Sequence, residues 1–185
     1  MHPFERKHVY SYPWESVSEM HWRKYPSIKN RDVLDVCLLD KVVDPSKGTL
    51  FARRLFTCDA AIPWFLSKLV PRVSPYLYAI ETIEVNPLEK TMRVTSRNLN
   101  FRNIMSVQES SSFTPDPEAP FERTLFKQRA RIIVHAPSWV RGKAENWSGR
   151  RWATNSKIGV DMMEELCRNT FVQKGRQSSK RPFFT

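Results

Sequence analysis

Glycine is scarce in this chain, five residues in 185, and none sits in a loop that could cradle a phosphate. The three cysteines, Cys37, Cys58 and Cys167, are odd in number and far apart. They form no CxxC and no Cys/His metal spacing, so they read as packed or free thiols, and no metal site is expected. The four histidines, His2, His8, His21 and His135, are scattered, and neither HExxH nor GxSxG occurs. The carboxylates fall mostly in turns or on polar faces. No catalytic residue and no cofactor are therefore expected, and the chain does not read as an enzyme. No apolar run is long enough to span a bilayer as a helix. The first ten residues lack the apolar stretch and cleavage pattern of a secretory signal, and Glu5 beside Arg6 and Lys7 makes a poor transit peptide. Neither an internal repeat nor a second domain is visible.

Acidic residues are the minority charge: 19 Asp and Glu against 30 Lys and Arg leave a net +11 and a pI near 9.9. Such a surface favours polyanions, either nucleic acid or a membrane rich in acidic lipid. The basic residues are spread through the chain instead of forming one block. The 11 Phe and 6 Trp read as core and lid residues, not as an exposed stacking platform, so no nucleic-acid partner is expected. The remaining composition, 41% hydrophobic and 26% charged, is that of one globular domain.

Periodicity predicts a strand over residues 8–12, then a helix over 14–24 opened by Pro13 and ended by Tyr25-Pro26. Strands over 33–43 and 49–59 flank the turn Asp44-Pro45-Ser46-Lys47-Gly48, making a hairpin. Residues 60–70 form a short helix or ordered loop. Four strands follow, over 75–85, 91–98, 103–113 and 122–135, and a long helix over 137–171 comes last. This order predicts an α+β fold, a curved antiparallel sheet around a C-terminal helix. Residues 173–185 are polar and basic and are expected to be a flexible tail.

The long helix carries the most informative pattern. At steps of three and four, Val140, Ala144, Trp147, Arg151, Asn155, Ile158, Met162 and Leu166 share one face. Arg151 and Asn155 interrupt an otherwise apolar stripe, and an arginine buried without a partner is expensive. Either the face borders a cavity holding an anion, or Arg151 pairs with an Asp or Glu, or the helix turns Trp152, Ser156, Gly159 and Met163 inward instead. Two other segments draw notice. Residues 60–71 are unusually apolar for a connection, and Trp64 and Phe65 beside Lys68 and Arg72 suit either a lipid interface or core packing. Alternation places Arg53 and Arg54 on opposite faces of one strand, so one of them points to the concave side, where it meets an anion unless that edge is solvated and salt-bridged.

Taken in order, Tyr12-Pro13-Trp14-Glu15-Ser16-Val17, Arg23-Lys24-Tyr25-Pro26, Val33-Leu34-Asp35-Val36, Asp44-Pro45, Arg53-Arg54-Leu55-Phe56, Ile62-Pro63, Val85-Asn86-Pro87, Thr91-Met92, Arg97-Asn98-Leu99 and Val107-Gln108-Glu109 resemble the PRELI-like family of mitochondrial lipid-transfer proteins. The likeness runs from about residue 5 to 172 and marks residues 1–172 as the transfer domain. It implies a START-like fold whose lipid cavity is closed by a lid loop. It also implies a carrier of acidic phospholipid, phosphatidic acid or phosphatidylserine, in the mitochondrial intermembrane space, with peripheral contact to acidic membranes. A small helical partner with twin CX9C motifs is implied as well. On this resemblance the headgroup meets Lys24, Arg54, Arg151 and Asn155. The lid spans residues 60–72 with Ile62, Pro63, Trp64, Phe65, Leu66 and Leu69, and Trp147, Ile158 and Met162 line the cavity. Some phosphatidic-acid carriers have lysines where this chain has Cys58 and Ala61. The same fold could instead sense lipid or scaffold a partner at a membrane without transferring anything.

Overall fold

The computed structural model describes residues 3–25, 32–67 and 74–178, the last seven as backbone only. Seven strands form one antiparallel sheet: β1 (Phe4–Tyr10), β2 (Val33–Asp44), β3 (Thr49–Asp59), β4 (Tyr76–Asn86), β5 (Thr91–Asn98), β6 (Met105–Pro115) and β7 (Thr124–Val134). Their spatial order is β1-β7-β6-β5-β4-β3-β2, so β2 to β7 run as a meander and β1 closes onto β7. Helix α1 (Trp14–Arg23), the single turn α2 (Trp64–Ser67) and the long α3 (Ser138–Ser178) complete the chain. The expected α+β architecture is what forms.

The central strands alternate. Along β4 the inward residues Glu81, Ile83 and Val85 are buried while Thr82 is exposed, as a half-buried sheet requires. Gly48 takes φ +61° in the β2–β3 turn, a backbone state costly to other residues. Strand β1 begins four residues before its expected start, because full pairing with β7, Phe4 against Ala130 through Tyr10 against Thr124, outweighs the polar run Glu5-Arg6-Lys7. Its inward Arg6 and His8 are tolerated because α3 answers them. Arg6 Nε donates to Ser156 Oγ at 2.6 Å, and His8 Nε2 lies 2.7 Å from Glu164 Oε1.

Two apolar clusters fill the concave side. One joins α1 (Trp14, Val17, Met20) to Ile83, Met92, Phe113 and Phe126 of the sheet and to Val160, Met163 and Cys167 of α3. The other joins Ile132 and Val134 to Ala136, to Val140, Ala144 and Trp152 of α3, and to Leu66 of α2. Trp14 is fixed in place by Nε1 donating to the Phe113 carbonyl at 3.1 Å.

Helix α3 touches α1, α2, β1 and β7. A helix with so many partners buries more than one stripe. Trp152, Ser156, Gly159 and Met163 are therefore buried, and Arg151 and Asn155 sit half-buried at that face's edge. The backbone remains helical to Ser178, so the first part of the expected tail continues α3, and residues 179–185 lie outside the described residues.

Ile83, fully buried, and Leu88, 83% exposed, give a contrasting pair. Ile83→Ala should cost about 2–5 kcal/mol, and Leu88→Ala should stay within about 0.5 kcal/mol, measured by urea unfolding.

Candidate functional site

A cavity of about 220 Å³ opens between α1, α3 and the sheet, lined on its polar side by His21, Lys24, Glu81, Glu109, Gln128 and Asn155. An apolar slot of about 180 Å³ adjoins it under the lid, walled by Ile62, Pro63, Leu66, Phe101, Ile104 and Trp147. Ala79, Ser96 and Glu109 line both spaces.

The base of the polar part is a buried ion pair. Arg54 Nε and Nη2 both donate to Glu81 Oε1, at 2.8 and 2.5 Å. Arg54 Nη2 also lies 3.1 Å from His21 Nε2, and its guanidinium lies 5.4 Å from the ring centres of Trp22 and Phe56. Accepting from Arg54 requires His21 to be neutral, with its proton on Nδ1, an atom that finds no partner among the described residues. Burial lowers the His21 pKa, opposed by Glu81. Burial alone would raise the Glu81 carboxyl, but the His21 ring and the Arg54 guanidinium outweigh it and hold it at about 2. Of these two, the guanidinium is the one that stays charged at neutral pH.

A second chain of polar groups crosses the interior. From Arg6 it runs to Ser156, whose Oγ donates to Gln128 Oε1 at 2.5 Å, and Gln128 Nε2 donates to Glu109 Oε2 at 3.1 Å. Burial raises the Glu109 pKa, while Gln128 and Lys24 lower it. Lys24 itself leaves the end of α1 half-buried, and among the described residues it has no carboxylate within salt-bridge distance. Its Nζ passes 2.9 Å from where a Cβ on Gly159 would sit. A glycine costs about 1 kcal/mol inside a helix, and here it leaves room for the amine to cross α3. Trp152, also on the cavity wall, has a buried Nε1–H without an acceptor among the described residues.

Arg151 lies at the rim. Its Nη2 donates to Asp32 Oδ2 at 3.0 Å, and the guanidinium also reaches the carbonyls of Asp59 and Ala61, both at 3.4 Å. Asn155 Nδ2 contacts the same Asp32 oxygen at 3.5 Å. Trp147 lies under the guanidinium, 5.4 Å from ring centre to Cζ. Ala61 has φ +40°, a strained value for a non-glycine residue, held by its N–H donating to Asp59 Oδ1 at 2.9 Å. Arg151 thus ties α3 to the base of the lid.

Of the expected headgroup residues, Lys24 and Asn155 share the cavity wall. Arg54 acts one layer below, through Glu81, and Arg151 acts at the rim. Ile62, Pro63, Leu66 and Trp147 line the apolar slot, Phe65 packs on the second cluster, and Trp64 points out at 73% exposure. Leu69 lies outside the described residues. Ile158 and Met162 do not line the cavity. The wall of α3 is Trp152, Asn155, Ser156, Gly159, Val160 and Met163, because the inward face is turned by one residue from the expected stripe. Sequence reasoning missed Glu81 and Gln128 and gave His21 no part in the site, while Trp152 inward belongs to the turned-helix alternative stated above. Alternation in β4 marks Glu81 as inward, which was the available signal for it.

The PRELI-like family profile matches residues 15–174, nearly the whole cavity-forming chain. The chain belongs to this family. Among similar proteins, UPS-like protein C36.10 of Schizosaccharomyces pombe is 38% identical over 165 residues, covering 88% of this chain and 87% of that one. The slowmo homolog of Dictyostelium discoideum is 32% identical over 177 residues, 96% of this chain and 75% of that one. UPS2 of Saccharomyces cerevisiae, named mitochondrial, is 29% identical over 158 residues, 84% and 68% of the two chains. The fold recurs in the Zhui aromatase/cyclase of Streptomyces sp. R1128, with TM-score 0.60, 11% identity and coverage of 90% and 93%. It recurs again in TTHA0849 of Thermus thermophilus, with TM-score 0.57, 12% identity and coverage of 91% and 99%. The sheet and terminal helix are thus the START-like arrangement that the resemblance implied.

Glu109 and His21 set opposite pH trends. The lowered His21 pKa contributes stability that is complete above its unfolded value near 6.5 and is lost as pH falls through the folded value. The raised Glu109 pKa works the other way, contributing stability at low pH that is lost as pH rises through its folded value. Thermal unfolding between pH 5 and 7.5 should therefore show wild type losing more stability on acidification than His21→Gln. Over the same range, wild type should lose more on alkalisation than Glu109→Gln.

Proposed function

We propose that this protein extracts an acidic phospholipid from a membrane and shuttles it between mitochondrial membranes across the intermembrane space. One observation carries the reading: the cavity wall holds donors that lack partners among the described residues. Lys24 has no carboxylate partner among the described residues, Trp152 Nε1–H has no acceptor there, and Asn155 flanks both on the same wall. A phosphate oxygen would satisfy Lys24 and Trp152, and Asn155 and Arg151 would meet it at the rim by exchanging Asp32 for the lipid. The apolar slot under the lid would take the start of the acyl chains.

The energetics set the demands on the carrier. Two acyl chains expose roughly 30 methylenes, so leaving the bilayer for water would cost on the order of 25 kcal/mol at about 0.8 kcal/mol each. Spaces of about 220 and 180 Å³ are too small for both chains, so loading must swing the lid outward. Trp64, exposed at the start of α2, suits insertion into the bilayer, and the net charge of +11 suits docking on acidic leaflets. Glu109 favours phosphatidylserine over phosphatidic acid, because an ammonium would answer its carboxylate while Lys24 takes the anion. A small helical twin-CX9C protein is the stabilising partner in this reading.

Transfer of fluorescent phosphatidylserine between acidic donor and neutral acceptor vesicles tests it. Folded Lys24→Glu and Arg151→Glu should each lower the rate about tenfold or more, and Glu109→Gln should erase the preference for phosphatidylserine. Wild-type rates in both charge reversals would overturn the carrier reading. Vesicle binding without lipid removal would make the protein a sensor or scaffold instead.

A further inference from the structure

The sheet face turned away from the cavity has its own organisation. Register places Arg97, Gln108 and Arg131 in one cross-strand row, and Thr95, Ser110, Arg129 and Glu5 in the next. The third row is Arg93, Ser112, Lys127 and Lys7. Short polar side chains of β6 therefore form a floor between rails of cations on β5 and β7. The rails stand about 9–10 Å apart, two strand spacings. The resulting trough has a volume of about 410 Å³ and is lined by Thr82, Thr95, Arg97, Ser110, Arg129 and Arg131.

This charge is poorly balanced. Among the described residues only Arg129 has an ion pair there, with Glu5 at 2.9 Å, and Arg93 stands opposite Glu84 in register. Lys7 and Lys127 face one another directly, a like-charge cross-strand pair that weakens a sheet. Among the described residues no carboxylate forms a salt bridge with Lys7, Arg97, Lys127 or Arg131.

The geometry points to this trough as the docking site of an acidic segment of a protein partner. Its width suits one extended chain or one helix, and a row of hydroxyls flanked by arginine forks suits carboxylates. A bilayer is a poorer match. The trough is recessed and its floor is polar, while the exposed Trp64 and the lid lie on the opposite, concave side. Nucleic acid is poorer still, since no aromatic side chain lines the trough for stacking.

The test titrates a twelve-residue Asp/Glu peptide into 15N-labelled full-length protein. Amide shifts should concentrate in β5, β6 and β7, and Arg97→Glu with Arg131→Glu should weaken binding at least tenfold at unchanged Tm. If that double variant unfolds, Arg97→Gln with Arg131→Gln should still weaken binding at least threefold. Lys143→Glu with Arg150→Glu, the same charge change on the exposed side of α3, should leave affinity within threefold. Equal losses from both charge-reversed pairs would reduce the effect to net charge and overturn the proposal. So would shifts centred on the lid, or trough variants that lose acidic vesicles or RNA while still binding the peptide.

Discussion

Arg54 and Glu81 are buried together under the cavity, with His21 against Arg54 and Lys24 on the wall beside them. A buried ion pair is weak evidence of stability, because desolvating both charges offsets most of their attraction. What this pair supplies is position. Glu81 is spent on Arg54, so it cannot neutralise Lys24, and Arg54 engages His21 as an acceptor, so the ring is neutral. Lys24, without a carboxylate partner among the described residues, and the unpartnered Trp152 Nε1–H stand on the same cavity wall. Removing either partner would leave an uncompensated charge in the core and disturb all of these groups at once.

Helix α3 connects this interior to the lid. Arg6, Ser156 and Gln128 link its inner face to Glu109, and a few residues away Arg151 grips the lid base through Asp32, Asp59 and Ala61. Asn155 touches the same Asp32 and also lines the cavity. In the proposed carrier, an anion arriving at Asn155 and Arg151 would compete with the contacts to Asp32, Asp59 and Ala61, so headgroup capture and lid movement would share atoms. Ala61, strained at φ +40°, lies at the same contact.

Much of this was legible in the sequence. Strand boundaries for β3 and β5 follow from alternation and turn residues, and the order of elements forces the antiparallel meander. Arg151 and Asn155 stood out because polar residues interrupt an apolar stripe. Which way they point was not legible, since a helix packed on several partners has no single inward stripe, and a shift of one residue exchanges Ile158 and Met162 for Gly159 and Met163. The part of Glu81 and His21 in the site was hidden for another reason. Both are placed by pairing with Arg54, and nothing local shows that residues 33 and 27 positions away along the chain will meet it. The use of Gly159 emerges only when Lys24 is seen crossing it.

The central claim is that the cavity selects an anion through unsatisfied donors. Native mass spectrometry tests it most directly, after incubation with vesicles holding equal amounts of phosphatidylserine and phosphatidylcholine of identical chains. One phosphatidylserine per protein chain, with phosphatidylcholine scarcely represented, is the expected result. Equal uptake of the two lipids, or a protein that carries neither, would contradict the account.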